Sequence, residues 1–176
     1  MKIIFSFSAF FIFIGCAAQT SHESTWEVYE NILCGIALSY PAHWDTTNQD
    51  SRIAFMAVEI NEDTLDRFNE NLNLVITKSN GATLESALDQ NYAFAKKHYG
   101  DSITLKRGLE SNRNGVNLGY ISLVHEVQGM ELNQFSYLFS DGIRLYCLTI
   151  GGEQKKEPIY GKIREKIVQN IKFIQE

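Results

Sequence analysis

Residues 112–150 read NRNGVNLGYISLVHEVQGMELNQFSYLFSDGIRLYCLTI, and apolar and polar side chains alternate through most of this stretch. Alternation with a period of two is typical of β-strands with one buried face. The alternating runs predict strands at residues 116–127, 131–139 and 143–150. Asn-Gly, Gly and Asp-Gly turns precede or separate these runs, and such turns favour tight hairpins. Strands joined by hairpins are antiparallel, so the stretch predicts an antiparallel meander.

The chain before the meander also contains strand patterns. A strand or hairpin is predicted over residues 26–40, and further strands over 52–60, 71–78 and 102–111. Pro41 ends the first of these, because proline cannot continue a central strand.

Two helices are predicted, one before the meander and one after it. Thr83 is a suitable N-cap for the first helix, and Gly100 supplies its C-terminal stop. After the meander, Gly151 and Gly152 break the chain and Pro158 begins the second helix. Isoleucines at helical spacing form an apolar stripe, and we expect this stripe to dock the second helix on the sheet. The stripe comprises Ile159, Ile163, Ile167, Ile171 and Ile174.

The order of elements is strands, helix, antiparallel meander and helix. This order is not that of a parallel βαβ fold, in which strands and helices alternate throughout. The predicted fold is therefore of the α+β class, with a largely antiparallel β-sheet flanked by helices. With 176 residues and 44% hydrophobic residues, the chain suits one domain with a substantial core. We place that domain at residues 26–176.

The first sixteen residues predict an export signal. Lys2 is followed by a strongly apolar run at residues 3–14, which as a helix spans about 18 Å and is too short for a bilayer core of about 30 Å. Such a run is typical of a signal peptide. The segment Phe-Ile-Gly-Cys at 13–16 resembles the bacterial lipobox, which implies cleavage before Cys16 and acylation of its thiol. An ordinary secretory signal with a chance cysteine is the alternative.

We therefore assign residues 1–15 to a lipoprotein signal peptide and 16–25 to a flexible tether of small and polar residues. Acyl chains on Cys16 would hold the protein on a membrane, because each buried methylene contributes about 0.8 kcal/mol. The predicted location is the bacterial cell envelope, on the outer membrane or on the periplasmic face of the inner membrane. The formal net charge of −5 argues against nucleic acid as the main partner.

Cys34 and Cys147 remain if Cys16 carries lipid. Each lies in an alternating run with its side chain on an apolar face, and such faces usually meet in a core. An exported compartment permits a disulfide between them. Two unpaired buried cysteines that pack as small hydrophobes are the alternative. Neither cysteine has a Cys-x-x-Cys partner or an adjacent histidine, which disfavours a catalytic thiol.

The sequence contains none of the common catalytic or nucleotide-binding motifs. Its histidines are scattered, at His22, His43, His98 and His125. Two acidic groups, at 45–50 and 61–66, lack the spacing of an EF-hand calcium loop. We expect no catalytic, cofactor or metal site. Tyr40 and Trp44, on either side of Pro41, could line a surface pocket, although packing of Trp44 over the end of the sheet is the favoured interpretation.

Several segments, taken in order, resemble the PsbP-like group of proteins, which includes bacterial DcrB-type lipoproteins. The first is GIALSYPAHW at residues 35–44, a strand that ends in Tyr-Pro and is followed by Trp. The others are the strand at 71–76 with the helix after it, the Asn-Gly hairpin at 114–115, and the Asp-Gly hairpin at 141–142 with the strand and helix that follow. The resemblance extends over residues 27–175, and its motifs bear on the fold rather than on catalysis.

This resemblance implies a non-enzymatic, membrane-associated accessory protein. Plant members are extrinsic subunits of photosystem II that help to retain calcium and chloride, and a related fold binds a Ran-type GTPase. Nothing here resembles the N-terminal extension on which the plant function depends. Our prediction is therefore a lipid-anchored module that binds an envelope protein. A periplasmic protein that binds a small ligand or a metal ion near Trp44 is the alternative.

Overall fold

The computed structural model of the chain describes residues 25–47, 53–60, 68–100 and 104–174, and the strands within them form two antiparallel sheets. In chain order the strands are β1 (Trp26–Asn31), β2 (Ile36–Pro41), β3 (Trp44–Thr47), β4 (Phe55–Glu59), β5 (Asn71–Lys78), β6 (Thr104–Ser111), β7 (Asn117–Val127), β8 (Met130–Ser140), β9 (Arg144–Glu153) and β10 (Lys172–Phe173). The helices are α1 (Leu84–Tyr99), between β5 and β6, and α2 (Glu157–Gln169), between β9 and β10. The predicted α+β class is confirmed.

The predicted signal peptide, Cys16 and His22 lie outside the described residues, as does the acidic group at 61–66 and most of the group at 45–50. In the described part of the chain, no helix is long and apolar enough to cross a membrane.

The large sheet has the strand order β3-β4-β5-β9-β8-β7-β6. The predicted meander is confirmed, since β7 pairs with β8 and β8 with β9 in antiparallel register. β5 pairs with β9 over its whole length, from Asn71 opposite Gly151 to Lys78 opposite Arg144. The bounds predicted for β5 agree with the structure, because its alternation is strict and a turn follows it at once.

The small sheet contains β1, β2 and β10, with β2 in the centre. The strand or hairpin predicted over residues 26–40 is a hairpin, in which a 3₁₀ turn at Ile32–Cys34 joins β1 to β2. Gly35 follows this turn with a left-handed φ of 64°. Residues with a β-carbon adopt that conformation only at a cost, so glycine suits this position.

The two faces of the large sheet are covered by different elements. On one face, β2 and α2 pack against it and form the main core, where Leu38 and Ile167 are buried. On the other face, α1 lies over β7 and β8, and its Leu88 packs with Leu138. Gly119 of β7 permits this close approach, because an added β-carbon would lie 3.3 Å from the methyl carbons of Leu88.

β9 runs through the glycine pair that was expected to break the chain, so that prediction was wrong. Gly151 pairs with Asn71 of β5, and the strand continues to Glu153. The pair provides space rather than a turn, since a β-carbon on Gly152 would lie 3.1 Å from Cγ of the buried Glu70.

α1 begins as predicted, whereas α2 ends before the last two isoleucines of its stripe. Thr83 caps α1, since its hydroxyl oxygen accepts the N–H of Ser86 at 3.2 Å. α2 stops where the Asn112 side chain donates hydrogen bonds to the carbonyls of Val168 (3.0 Å) and Ile171 (2.7 Å). The chain then becomes extended and forms β10, because these side-chain hydrogen bonds satisfy carbonyls at the end of the helix.

The isoleucine stripe is therefore only partly a docking face, which corrects the prediction. Ile167 and Ile171 are fully buried, but Ile159 is 64% exposed to solvent. In the first turn of α2, Ile159 faces solvent, whereas Tyr160 packs against the main core.

Candidate functional site

Tyr40 and Trp44 belong to the core and not to an open pocket. They are 7% and 3% exposed, and both pack in the main cluster. The Tyr40 hydroxyl donates a hydrogen bond to Oε2 of Glu27 at 2.6 Å. Burial, together with this carboxylate, raises the pKa of Tyr40 to about 12. The structure thus agrees with the packing interpretation of Trp44.

A buried ionic cluster lies beside Trp44. The fully buried Glu70 accepts a hydrogen bond from Nζ of Lys156 at 2.9 Å and from the Glu153 backbone N–H at 3.2 Å. Burial raises the pKa of Glu70, and the neighbouring Glu59 carboxyl adds to this, while Lys156 opposes it. The cluster ties α2 and the turn before it to β5.

The cavity at this cluster is too small for a metabolite. It measures about 10 Å³ and is lined in part by Trp44, Glu70 and Asn133. A volume of this size accommodates about one water molecule. Among the residues that the structure describes, no group of three or more His, Cys, Asp or Glu could hold a metal ion.

The described histidines have separate surroundings. Nε2 of His43 lies 3.6 Å from Oε1 of Glu59. His98 and His125 both contact the ring of Tyr99. Burial lowers the pKa of His125, which favours the neutral imidazole.

Cys34 and Cys147 are both free thiols, and the structure does not bring them together. Cys34 packs against the main core, whereas Cys147 packs with Leu88 and Leu138 under α1. The predicted alternation in β9 was correct. It places the Cys147 side chain on the face of the large sheet opposite to the side chains of Tyr146 and Leu148. Cys34, in the 3₁₀ turn of the small sheet, and Cys147, on β9, therefore lie on opposite sides of the large sheet. Burial raises the pKa of Cys147, as expected for an unreactive thiol.

Three large aliphatic side chains are exposed together at one end of the domain. Ile32 and Leu33, in the 3₁₀ turn between β1 and β2, are 66% and 87% exposed, and Ile143, in the turn between β8 and β9, is 72% exposed. We call these three residues the apolar tip. The two turns are neighbours, because Nη2 of Arg144 donates a hydrogen bond to the Leu33 carbonyl at 2.9 Å.

A compact polar network holds the apolar tip in place. The Tyr146 hydroxyl lies 2.6 Å from the Cys34 carbonyl oxygen and 2.7 Å from Oδ2 of Asp141. Oδ1 of Asp141 accepts the backbone N–H groups of Ile143 and Arg144, at 2.8 and 2.6 Å. Although desolvation acts in the opposite direction, these hydrogen bonds hold the pKa of Asp141 below its usual value. Both turns are thus fixed to β9.

The apolar tip and the first described residues lie at opposite ends of β1. Trp26 pairs with Pro41, and Asn31, just before the tip, pairs with Ile36. The six residues of β1 span about 20 Å at about 3.3 Å per residue. A segment that precedes β1 therefore joins the domain far from the apolar tip.

A second surface feature is the groove between α1 and β6. Two adjoining cavities of about 460 and 400 Å³ follow the first turns of α1, and Leu109 and Glu85 line both of them. Leu109 is 57% exposed, on the last strand of the large sheet. We call this feature the α1–β6 groove. Its volume is within the range of ligand sites.

Sequence reasoning missed both the apolar tip and the groove. Ile32, Leu33 and Ile143 were treated as parts of strands, since isolated apolar residues next to turns are common. Their proximity depends on pairs of residues more than a hundred positions apart, such as Arg144 with Leu33. The available signal was the presence of aliphatic residues directly beside Gly35 and Gly142, where polar residues are usual.

No protein-family profile and no curated protein sequence matches the chain. Solved structures do match it. Cyanobacterial PsbP from Synechocystis sp. PCC 6803 has a TM-score of 0.60 and 10% identity, over 91% of this chain and 98% of that one. LpqN of Mycobacterium tuberculosis, which is involved in cell envelope biogenesis, has a TM-score of 0.57 and 10% identity, over 89% and 88% of the two chains.

A protein of unknown function from Pseudomonas aeruginosa has a TM-score of 0.56 and 13% identity, over 82% of this chain and 94% of that one. Identities this low establish similarity of fold alone. The resemblance to the PsbP-like group drawn from the sequence is confirmed at the level of the fold. The chain therefore has a PsbP-like α+β fold.

Proposed function

We propose that this protein is a non-enzymatic binding module of the bacterial cell envelope, anchored by lipid at Cys16, which presents its apolar tip to a protein partner. The observation that carries the proposal is the exposure of Ile32, Leu33 and Ile143 on turns that are held by hydrogen bonds. Large aliphatic side chains exposed on neighbouring turns are a typical feature of interaction sites.

The bracing of the tip supports a binding role. A partner loses less free energy in ordering a surface that is already fixed, because little side-chain and loop entropy remains to be lost. Arg144 and Tyr146 hold the turn between β1 and β2 through its backbone carbonyls, and neither interaction uses the apolar side chains themselves. The aliphatic side chains of the tip are thus exposed on turns whose backbone is held in place.

The point at which the tether joins the domain supports an accessible tip. Cys16 precedes Thr25 by nine residues, which reach about 30 Å when fully extended. The tip lies about 20 Å farther along β1 than Trp26. A lipid at Cys16 would therefore attach at the end of β1 opposite to the apolar tip, and it would raise the local concentration of the tip near membrane-bound partners.

The comparisons support an envelope role in general terms. One structural neighbour, LpqN, is described as a protein of cell envelope biogenesis. The sequence resemblance to DcrB-type lipoproteins and the lipobox-like segment at 13–16 point the same way. The alternative, a small-ligand protein that uses the end of the sheet near Trp44, gains no support from a cavity of about 10 Å³.

Chemical crosslinking in cells tests this function with matched variants. The single variant Leu33→Asp places one negative charge on the tip, and Ile159→Asp places one negative charge on another exposed aliphatic residue, in α2. We expect the tip variant to capture at least tenfold less of any crosslinked envelope protein than the native chain does. The α2 variant should capture as much as the native chain. Equal capture by both variants would refute a role for the tip.

A further inference from the structure

We infer that Asn80 is a site of spontaneous deamidation in the folded protein, whereas Asn114, which is also followed by glycine, is protected by its hydrogen bonds. The modification converts the side-chain amide of Asn80 to a carboxylate through a cyclic imide formed with the backbone nitrogen of Gly81. The reaction needs water and no partner protein, so it does not depend on the proposed binding role of the apolar tip.

The chemistry requires an asparagine whose next backbone nitrogen can reach its side chain. That nitrogen attacks Cγ of the asparagine, the bond from Cγ to Nδ2 breaks, and Nδ2 leaves as ammonia with the proton that the backbone nitrogen gives up. Water then opens the imide at either carbonyl group and yields aspartate or isoaspartate. Glycine favours the attack because it has no β-carbon to hinder it. The sequence contains two Asn-Gly pairs, at residues 80–81 and 114–115.

The first pair forms the centre of an exposed turn between β5 and α1. The Ala82 N–H closes this turn with a hydrogen bond of 2.8 Å to the Ser79 carbonyl, and Asn80 and Gly81 have positive φ angles of 48° and 78°. Within the part of the chain that the structure describes, neither the Asn80 side chain nor the Gly81 N–H bonds another residue. The leaving amide and the attacking nitrogen are therefore both available.

The second pair is held by hydrogen bonds at both reacting groups. Nδ2 of Asn114 donates to the carbonyls of Gln169 and Ile171, at 3.3 and 3.0 Å. The Gly115 N–H donates to the Asn112 carbonyl at 3.0 Å. Ring closure at Asn114 would break these bonds, and each bond that is lost without replacement costs free energy. The same dipeptide should therefore react slowly here.

The reactive turn lies against the turn that carries Ile143 of the apolar tip. Ser79 is buried, and it donates its backbone N–H to the Ile143 carbonyl at 2.9 Å and its hydroxyl to the Gly142 carbonyl at 3.1 Å. Deamidation of Asn80 adds a negative charge one residue from these contacts. Isoaspartate also lengthens the backbone of the turn by one carbon atom. The reaction thus changes the surface beside the apolar tip irreversibly as the protein ages.

Peptide mapping by mass spectrometry tests the inference on the full chain in neutral detergent. The folded protein is incubated in mildly alkaline buffer made with heavy-oxygen water, which marks the conversions that occur before digestion. We expect Asn80 to convert at least tenfold faster than Asn114. In urea the hydrogen bonds of Asn114 are lost, and we expect the two rates to agree within threefold. Both aspartate and isoaspartate should form at position 80, because water opens the imide at either carbonyl.

Two glycine variants separate ring closure from a general effect on turns. Gly81→Ala places a methyl group beside the attacking nitrogen, and we expect it to slow conversion of Asn80 at least fivefold. Gly129→Ala is a matched control, because Gly129 has a similar φ of 77° and an added β-carbon meets no atom within 4 Å at either position. This control should leave the rate at Asn80 within twofold.

Four results would overturn the inference. They are equal rates at Asn80 and Asn114 in the folded protein, conversion of Asn80 in urea alone, aspartate as the sole product at position 80, and equal slowing by the two glycine variants. Leu33→Asp should leave the rate at Asn80 unchanged, so this test and that of the apolar tip fail independently.

Discussion

Arg144 and Leu33, which are 111 positions apart in the chain, are joined by a hydrogen bond of 2.9 Å from the guanidinium to the backbone carbonyl. The bond links the turn that precedes β9 to the turn that precedes β2, and so it links the large sheet to the small one. Both turns carry the exposed aliphatic residues of the apolar tip. The contact thus holds the two turns of the apolar tip next to each other.

Replacing this guanidinium should loosen the tip without unfolding the domain. In Arg144→Leu, we expect the backbone amides of Cys34 and Gly35 to exchange hydrogen at least tenfold faster, because the carbonyl of Leu33 loses its partner. Hydrogen exchange measured by mass spectrometry or NMR checks this. As a control, Arg107→Leu removes a guanidinium at the other side of the large sheet. In that variant, the amides of the tip should exchange hydrogen at their native rates. Unchanged exchange in Arg144→Leu would mean that the bond does not hold the turn.

Acid should weaken the tip through Asp141. The pKa of Asp141 in the folded state lies below the ordinary value of 3.8. The stability that Asp141 contributes is therefore present above about pH 3.8, and it is lost as the pH falls through the lower folded-state pKa. We expect the native chain to lose stability more steeply than Asp141→Asn between about pH 4 and pH 2. Urea unfolding at a series of pH values measures the difference. Parallel curves for the two proteins would contradict the assignment.

The buried pair of Glu70 and Lys156 should be costly to break. Lys156→Met leaves the fully buried Glu70 without its cation, and we expect a loss of about 3 kcal/mol in the free energy of unfolding. Lys162→Met, on an exposed face of α2, should change it by less than about 0.5 kcal/mol. Urea denaturation at neutral pH compares the two.

A double variant shows whether the loss comes from the uncompensated charge. Glu70→Leu/Lys156→Met removes both partners, and it should recover much of the stability lost in Lys156→Met. If the double variant is no more stable than the single one, packing rather than charge controls this position.

Asn112 should be the most sensitive polar residue of the β6–β7 turn. Its side chain donates to the carbonyls of Val168 and Ile171 and accepts the N–H groups of Asn114 and Val116 at 3.0 Å. Asn112→Ala removes these bonds in a buried site, and we expect a loss of about 3 kcal/mol. The exposed Asn117, at the start of β7, provides a control, since Asn117→Ala should cost less than about 1 kcal/mol. Thermal unfolding of the two variants distinguishes them.

The large sheet could be predicted from the sequence because its signals are local. The meander alternates strictly between turn residues, and the N-cap at Thr83 and the bounds of β5 depend on neighbouring residues alone. The small sheet could not be predicted in this way. Its third strand, β10, exists because Asn112 ends α2 and β2 offers an edge, and both are long-range effects.

Glycine and turn residues account for most of the errors at the candidate sites. Gly151 and Gly152 were interpreted as a break, but both lie in β9, where Gly152 leaves room for Glu70 beneath the strand. Aliphatic residues at turns were assigned to strands, so the apolar tip escaped notice. The α1–β6 groove depends on the position of α1 over Gly119, which no local pattern encodes.

Site-specific photocrosslinking in living cells tests the central proposal most directly. A benzoylphenylalanine in place of Leu33 samples the apolar tip, and the same group in place of Ile159 samples an equally exposed aliphatic position away from it. We predict that one envelope protein is captured from position 33 and not from position 159, and that capture is lost when Cys16→Ala removes the anchor. Capture of the same proteins from both positions, or capture from position 33 that persists without the anchor, would contradict the account.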